Sequence, residues 1–287
     1  MKLQYFIPAI VIVLNTISCT PKNTKDPQPV EDTKPIENPK PVEDTKPVEN
    51  PQPVISQNIN YVSKGNYYFQ EITYDASGNP TIVREFLPTH EATLKISYEK
   101  NLAKTMIFEP KNGSYNVEYT INYINANELT IGTKSYVGPS KWLTNASLKF
   151  NANGLVESIT TIINGYSRTF NYRYDKNDNL IYAENLNESF PVIYEEYDDK
   201  PNPFYAKAKL WTIIELIERQ NSGTVVDFAI CKNNPRKSIT QNNNFTEKLI
   251  YTYDKNSYPV KIIQQIYSPS YGDGVYKEDV IQLTYAK

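Results

Sequence analysis

This chain of 287 residues contains little histidine and cysteine, and its net charge is small. A single histidine, His90, argues against a centre built from several histidine ligands, and we expect no metal and no other cofactor. Two cysteines, Cys19 and Cys231, are too few for a disulfide framework. The formal net charge of −2 provides no basic surface for a phosphate backbone, so we expect no nucleic-acid partner.

Residues 1–18 have the pattern of a secretory signal peptide. Lys2 supplies the positive charge, and an apolar run then covers residues 5–14. A run of about ten residues is too short for a spanning helix, which needs about 20. We therefore expect a cleaved leader rather than a transmembrane segment.

A cysteine with a small residue before it follows the leader directly. Ser18 precedes Cys19, and residues 16–19 resemble the lipobox of bacterial lipoproteins, with a departure at Thr16, where that family usually has an aliphatic residue. The resemblance implies that Cys19 is the lipid attachment site and that the chain is held in a membrane by acyl chains. It further implies the outer membrane of a Gram-negative bacterium, facing the periplasm or the cell surface. The alternative is an ordinary cleaved signal in which Cys19 has no special role.

The segment after the cysteine has the composition of a spacer. Together with Cys19 it covers residues 19–58, and it contains nine of the 20 prolines, no glycine and no aromatic residue. Residues 29–40 recur almost unchanged as 41–52. Frequent proline removes backbone donors and favours polyproline II over helix or sheet, so we expect a solvated, extended linker.

Residues 59–287 predict a single all-β domain. Apolar and polar residues alternate in runs such as 119–123 and 170–174, which is typical of strands with one buried face. The runs end in turn sequences such as Asp75-Ala-Ser-Gly-Asn79. Aromatic residues precede successive turns at intervals of 23 to 27 residues, about the length of one hairpin. We therefore expect a long twisted antiparallel meander of about eight hairpins.

One segment does not follow this repeat of aromatic residues and turns, and its pattern predicts a helix near residues 203–220. Asn202 is a plausible N-cap, with Pro203 at the first helical position. Leu210, Ile213, Ile214 and Ile217 then share one helical face. We expect this amphipathic helix to pack on the apolar face of the sheet; a helix lying on a membrane surface is the alternative.

The turn motif Tyr-Asp-x-x-Gly-Asn, as in residues 74–79, resembles the YD repeats of the RHS class. Combined with residues 197–204, 233–235 and 258–259, it is similar to secreted bacterial lipoproteins with a domain of unknown function. The resemblance covers residues 61–287. It implies a β-rich domain but no catalytic residues, and the chain is too short for the closed shell that large RHS proteins build.

Two loops are candidate ligand-binding sites because they combine aromatic and turn residues. One carries Trp142, and the other carries Tyr267, Tyr271 and Tyr276 around two glycines. Exposed aromatic rings can stack on sugars or anchor a protein partner.

These observations predict a lipid-anchored, non-enzymatic binding or structural module for a glycan or a protein. One alternative is a periplasmic carrier of a lipid or other hydrophobic ligand. A second is a glycoside hydrolase that uses two facing carboxylates. For Cys231 we expect a buried, inert thiol, with a reactive or dimerising thiol as the alternative.

Overall fold

The computed structural model describes residues 58–286 apart from 66–67, 88–89, 112–114, 137–142, 164, 187, 223–229, 242–244, 270–271 and 273. The leader, Cys19, nearly all of the spacer, Trp142 and Tyr271 therefore lie outside the described residues. Among the residues described, no helix is both long and apolar enough to cross a bilayer.

Sixteen antiparallel strands close into a barrel, which confirms the all-β class. The meander is thus not an open ribbon, because its last strand pairs with its first between Lys64 and Ile281. The barrel strands are β1 (Ile59–Lys64), β2 (Tyr68–Tyr74), β3 (Pro80–Leu87), β4 (His90–Glu99), β5 (Leu102–Pro110), β6 (Val117–Asn125), β7 (Glu128–Tyr136), β8 (Leu143–Phe150), β9 (Val156–Ile163), β10 (Tyr166–Tyr174), β11 (Leu180–Asn185), β12 (Glu188–Tyr194), β15 (Lys237–Thr240), β16 (Phe245–Tyr253), β17 (Pro259–Tyr267) and β18 (Val275–Tyr285).

The remaining elements lie in the segment that connects β12 to β15. It contains a two-stranded sheet, a 3₁₀ turn and one α-helix. They are β13 (Tyr197–Pro201), the 3₁₀ turn Tyr205–Lys207, α1 (Ala208–Ser222) and β14 (Asn233–Pro235).

Successive strands alternate in direction, so the barrel has two different ends. The turn end carries the short reversals that follow β2, β4, β6, β8, β10 and β16. The loop end carries the connections that follow β1, β3, β5, β7, β9, β11, β15 and β17. The first described residue, Asn58, and the last strand residue, Tyr285, both lie at the turn end.

Four reversals at the turn end share one hydrogen-bond pattern. In the first, a carboxylate oxygen of Asp75 accepts from the backbone N–H groups of Ser77 and Asn79, at 2.9 and 2.8 Å. Asn151, Asp175 and Asp254 accept in the same way two and four residues ahead. The predicted turn chemistry is therefore confirmed. The left-handed position is glycine in two of these turns, at Gly78 and Gly154, and is Asp178 or Ser257 in the others.

The aromatic residues that precede these turns form a belt around the turn end. Their rings pack against the core, and several tyrosine hydroxyls donate to the first carbonyl of the preceding barrel strand. Tyr98 reaches the carbonyl oxygen of Pro80 at 2.6 Å, and Tyr285 reaches that of Pro259 at 2.8 Å. Tyr74 makes the equivalent bond to Ile59. At these three strand pairs, a tyrosine at the end of one strand therefore binds the start of the strand before it.

Along β4 to β8, the barrel wall is apolar inside and polar outside. The lumen face of β4 to β8 is built from buried side chains such as Leu94, Met106, Tyr119 and Leu148. The alternate positions on these strands face outward and carry mostly charged or hydroxyl groups, including the ion pairs Lys95–Glu109 at 2.6 Å and Lys134–Glu118 at 2.9 Å.

The helix packs on the apolar face of the sheet, as predicted, and that face is the inner wall of the barrel. It begins at Ala208, five residues later than expected. Asn202 instead closes a turn, in which its side-chain oxygen accepts from the backbone N–H of Phe204 at 3.0 Å. The predicted apolar face is confirmed at Ile213, Ile214 and Ile217, which are fully buried. Because the wall surrounds the helix, residues outside that face are buried as well: Trp211, Thr212, Leu216 and Glu218.

Candidate functional site

The turn end of the barrel is closed by the segment that leads into α1. Tyr205 donates to the carboxylate of Asp178 at 2.7 Å, and the ammonium groups of Lys207 and Lys209 donate to the carbonyls of Gly78 and Ala126. These partners belong to turns that lie four strands apart, a quarter of the sixteen-stranded wall each time. A segment that contacts three such turns lies across the opening.

The helix α1 contributes to the core of the barrel. Its side chains join those of β5, β8 and β9 in one core, and Trp211 packs edge-to-face on Phe204 with ring centroids 5.2 Å apart. A cavity of about 60 Å³ lies between the segment that precedes α1 and the strands β16 to β18, bounded by Phe204, Ile262 and Leu283 among others. This volume holds a few water molecules, whereas pockets for small-molecule ligands usually exceed about 300 Å³.

A polar cluster crosses the seam where β18 meets β1. Lys64 and Asp279 are both buried and lie 3.4 Å apart, and Lys277 contacts the same carboxylate at 2.9 Å. On the next strands, Glu247 accepts hydrogen bonds from Gln264 and, at 2.9 Å, from Ser238. Burial lowers the pKa of Lys64, and the nearby Asp279 carboxylate partly offsets that effect. The cluster therefore stabilises the pairing of β18 with β1, which closes the barrel.

Cys231 is buried, as expected, and packs beside the two-stranded sheet. Its thiol donates to the carbonyl oxygen of Asn233 at 3.1 Å. Burial is the main reason why its pKa is raised to about 12. At neutral pH the group is a protonated thiol with no access to solvent, which does not suit a nucleophile.

Two groups of carboxylates among the described residues bear on the hydrolase alternative. In the acidic segment 195–199, Asp198 is bound by the Asn234 amide and the Tyr253 hydroxyl and fixes the two-stranded sheet, while Glu195 pairs with Lys237 at 2.7 Å. Glu85 and Glu218 act on each other electrostatically, but both are buried within the lumen. A glycan cannot reach either of them in this arrangement.

The two described candidate residues of the second loop lie at the loop end of the barrel. Tyr276 is 49% exposed, and its ring centroid lies 6.5 Å from that of Phe245. Tyr267 is half-buried, with the Lys248 ammonium 4.9 Å from its ring centroid. The strand ends on either side of Trp142, at Tyr136 and Leu143, belong to this same end. Because successive strands alternate in direction, the strand ends that flank both candidate loops lie at one end of the barrel.

Sequence reasoning missed a further exposed ring at the loop end. Tyr166, the first residue of β10, is 77% exposed, and Leu186 nearby is 60% exposed. Alternation along β10 with the core residues Phe170 and Tyr172 puts Tyr166 in the lumen-facing phase. A tyrosine in that phase at a strand end was the signal that could have identified it. β10 and β18 are six strands apart, or about 29 Å along the wall at the usual strand spacing.

The fold defines a class: a closed, sixteen-stranded, up-and-down barrel with one helix in its lumen. No protein-family model matches the chain, and no curated protein matches it either. Among solved structures, it is similar to a porin-like protein from Bacteroides uniformis, with a TM-score of 0.51 and 10% sequence identity. The match covers 82% of this chain and 98% of that one. At this identity the likeness concerns the fold alone.

Proposed function

We propose that the protein is a lipid-anchored, non-enzymatic binding module of a Gram-negative cell envelope and that the loop end of its barrel binds a glycan. The observation that carries the proposal is the exposure of Tyr166 and Tyr276 at the loop end of the barrel. An exposed tyrosine offers an apolar ring face and a hydroxyl, which suits stacking on a sugar.

The distribution of the exposed rings favours a glycan over a protein partner. Tyr166 and Tyr276 lie on strands six apart, with polar residues such as Arg168 and Lys277 beside them. A protein interface usually centres on one compact cluster of buried aromatic anchors. Separate rings around the loop end can instead contact well-separated sugar units of one extended glycan.

The lumen supports neither of two other functions. A channel needs an open path, whereas α1 and the segment 205–209 occupy the lumen and its turn end. The word porin in the description of the similar structure is therefore not carried over to this chain. A lipid carrier needs room for an acyl chain, and the cavity of about 60 Å³ is too small.

Lipid anchoring is supported by the leader and by the position of Cys19 after Ser18. The polar outer wall also agrees with a protein that is held by its lipid rather than by its strands. A spacer of some 39 residues can extend to about 120 Å at 3.1 Å per residue, which gives the domain reach beyond its anchor.

The Cys19→Ala variant is expected to leave the membrane fraction and appear as a soluble protein, because the acyl chains would have no attachment site. Fractionation of cells expressing wild type and variant measures this, and mass spectrometry of the wild-type amino terminus checks for a diacylated cysteine after removal of residues 1–18. The Cys231→Ala variant is the matched control and should stay with the membrane. A wild-type protein with a bare thiol at Cys19 would contradict the anchor.

Replacing Tyr166 and Tyr276 together by alanine is expected to reduce glycan affinity about 10- to 100-fold, since each lost aromatic contact is worth on the order of 1 kcal/mol. Binding of the detergent-solubilised protein to a glycan array identifies the ligand, and titration then compares the variants. Ile124 and Leu102, which are 61% and 49% exposed at the turn end, provide the control pair when changed to alanine. Equal loss in both pairs, or no glycan bound by wild type, would refute the site.

A further inference from the structure

Among the described side chains of α1, Glu218 is a buried acid in a mainly apolar contact with the barrel wall. Glu218, in the last third of the helix, is 4% exposed, and one of its carboxylate oxygens accepts from the Gln70 side-chain amide at 3.0 Å. Glu85 is 1% exposed and lies directly opposite Gln70 in the register of β2 and β3. Two carboxyl groups, one from the wall and one from the helix, are thus enclosed together with one amide.

We propose that Glu85 and Glu218 share a proton that locks α1 in the lumen, so that the helix is held at acid pH and loosened when both groups ionise. This pH-dependent contact is part of the fold and does not depend on the proposed glycan site. Two neighbouring carboxylates in a low-dielectric interior cannot both carry charge without a large penalty, which is why one of them keeps its proton.

The surroundings of Glu218 favour the protonated form. Burial raises the pKa of Glu218 well above its ordinary 4.5, and the nearby acids Glu85 and Glu215 raise it further. The Gln70 amide acts in the opposite direction and offsets only part of this effect. The buried faces of β5, β8 and β9 that pack on the helix are apolar except for Thr161. Lys64, the buried cation of the seam, is paired with Asp279.

The sign of the pH dependence follows from the raised pKa. The folded protein binds a proton more tightly than the unfolded chain, so the stabilisation is complete below the ordinary pKa of 4.5 and is lost as pH rises toward the raised value. For a single proton, the folding equilibrium constant falls by up to about ten-fold per pH unit in that window.

Urea unfolding of the full-length protein between pH 5 and 9 tests the proposal. In wild type, the folding equilibrium constant should fall with rising pH, and hydrogen exchange corrected for its intrinsic rate should show matching loss of protection in residues 208–218. Glu218→Gln keeps the shape and the bond to Gln70 but cannot ionise, so it should remove most of the slope. Glu85→Gln should do the same from the wall side.

Glu157→Gln is the control, since Glu157 is exposed on β9 and its loss should leave the slope as in wild type. A wild-type protein whose stability does not fall across this range would overturn the proposal, as would a slope that survives in both glutamine variants. A slope without any change in the protection of α1 would also overturn it, because the proton would then act elsewhere. Should Glu218→Gln fail to fold, the pH slopes of wild type and of Glu85→Gln still test the proposal.

Discussion

The Ile214→Asp variant is expected to lose about 4 kcal/mol of unfolding free energy, or not to fold at all. Ile214 is fully buried in the core that α1 forms with the surrounding wall. The substitution removes a branched apolar side chain and introduces a carboxyl group where the adjacent side chains are mainly hydrocarbon. Urea unfolding followed by circular dichroism measures the effect.

The same substitution on the outside of the barrel serves as its control. Ile250 lies on the outer face of β16 and is 46% exposed, so Ile250→Asp should change stability by less than about 1 kcal/mol. If Ile250→Asp were as damaging as Ile214→Asp, the outer wall would be buried against something else in the native state. If Ile214→Asp were harmless, α1 would not be part of the core.

The strands and turns could be predicted because their causes are local. Alternation of side chains identifies a strand, and the carboxylate of Asp75 or Asp175 closes its own turn within four residues. The aromatic period was partly local, since Tyr74 and Tyr98 bond within their own hairpins, as Tyr98 does with Pro80. These features give the all-β class and the number of hairpins.

Closure of the barrel could not be predicted, because it depends on a contact between the two ends of the domain. β1 and β18 pair over more than 200 residues of separation, and neither strand differs in pattern from the others. The place of α1 depends on that closure. Its sequence shows one apolar face, which suits a helix on an open sheet, whereas an enclosed helix also buries Thr212 and Glu218.

The candidate site was predicted only in part for a similar reason. Tyr267 and Tyr276 were identified by their local turn residues, but the sequence did not indicate that Tyr166 shares their end of the barrel. The buried carboxylates were also missed. Glu85 stands in the same strand phase as Val83, and Gln70 in the same phase as Ile72. A polar residue in the apolar phase of a strand was the available signal.

Asp279→Ala is expected to destabilise the barrel by about 3 kcal/mol, because it leaves a buried charge without its counterion. Lys64 is only 3% exposed, and Asp279 at 3.4 Å is its ion-pair partner across the β1–β18 seam. Without that carboxylate the pKa of Lys64 should fall further, since burial already lowers it. The free energy of unfolding of wild type and variant, from urea denaturation at pH 7, measures the loss.

Two further variants show whether the loss arises from the buried pair. Lys277 contacts the same carboxylate but is 46% exposed, so Lys277→Ala should cost less than about 1 kcal/mol. The double variant Lys64→Met with Asp279→Leu replaces the pair by apolar side chains and should recover most of the stability lost in Asp279→Ala. A double variant as unstable as Asp279→Ala would show that the seam needs the charges themselves. If Asp279→Ala lost no more unfolding free energy than Lys277→Ala, the buried pair would contribute nothing to closure.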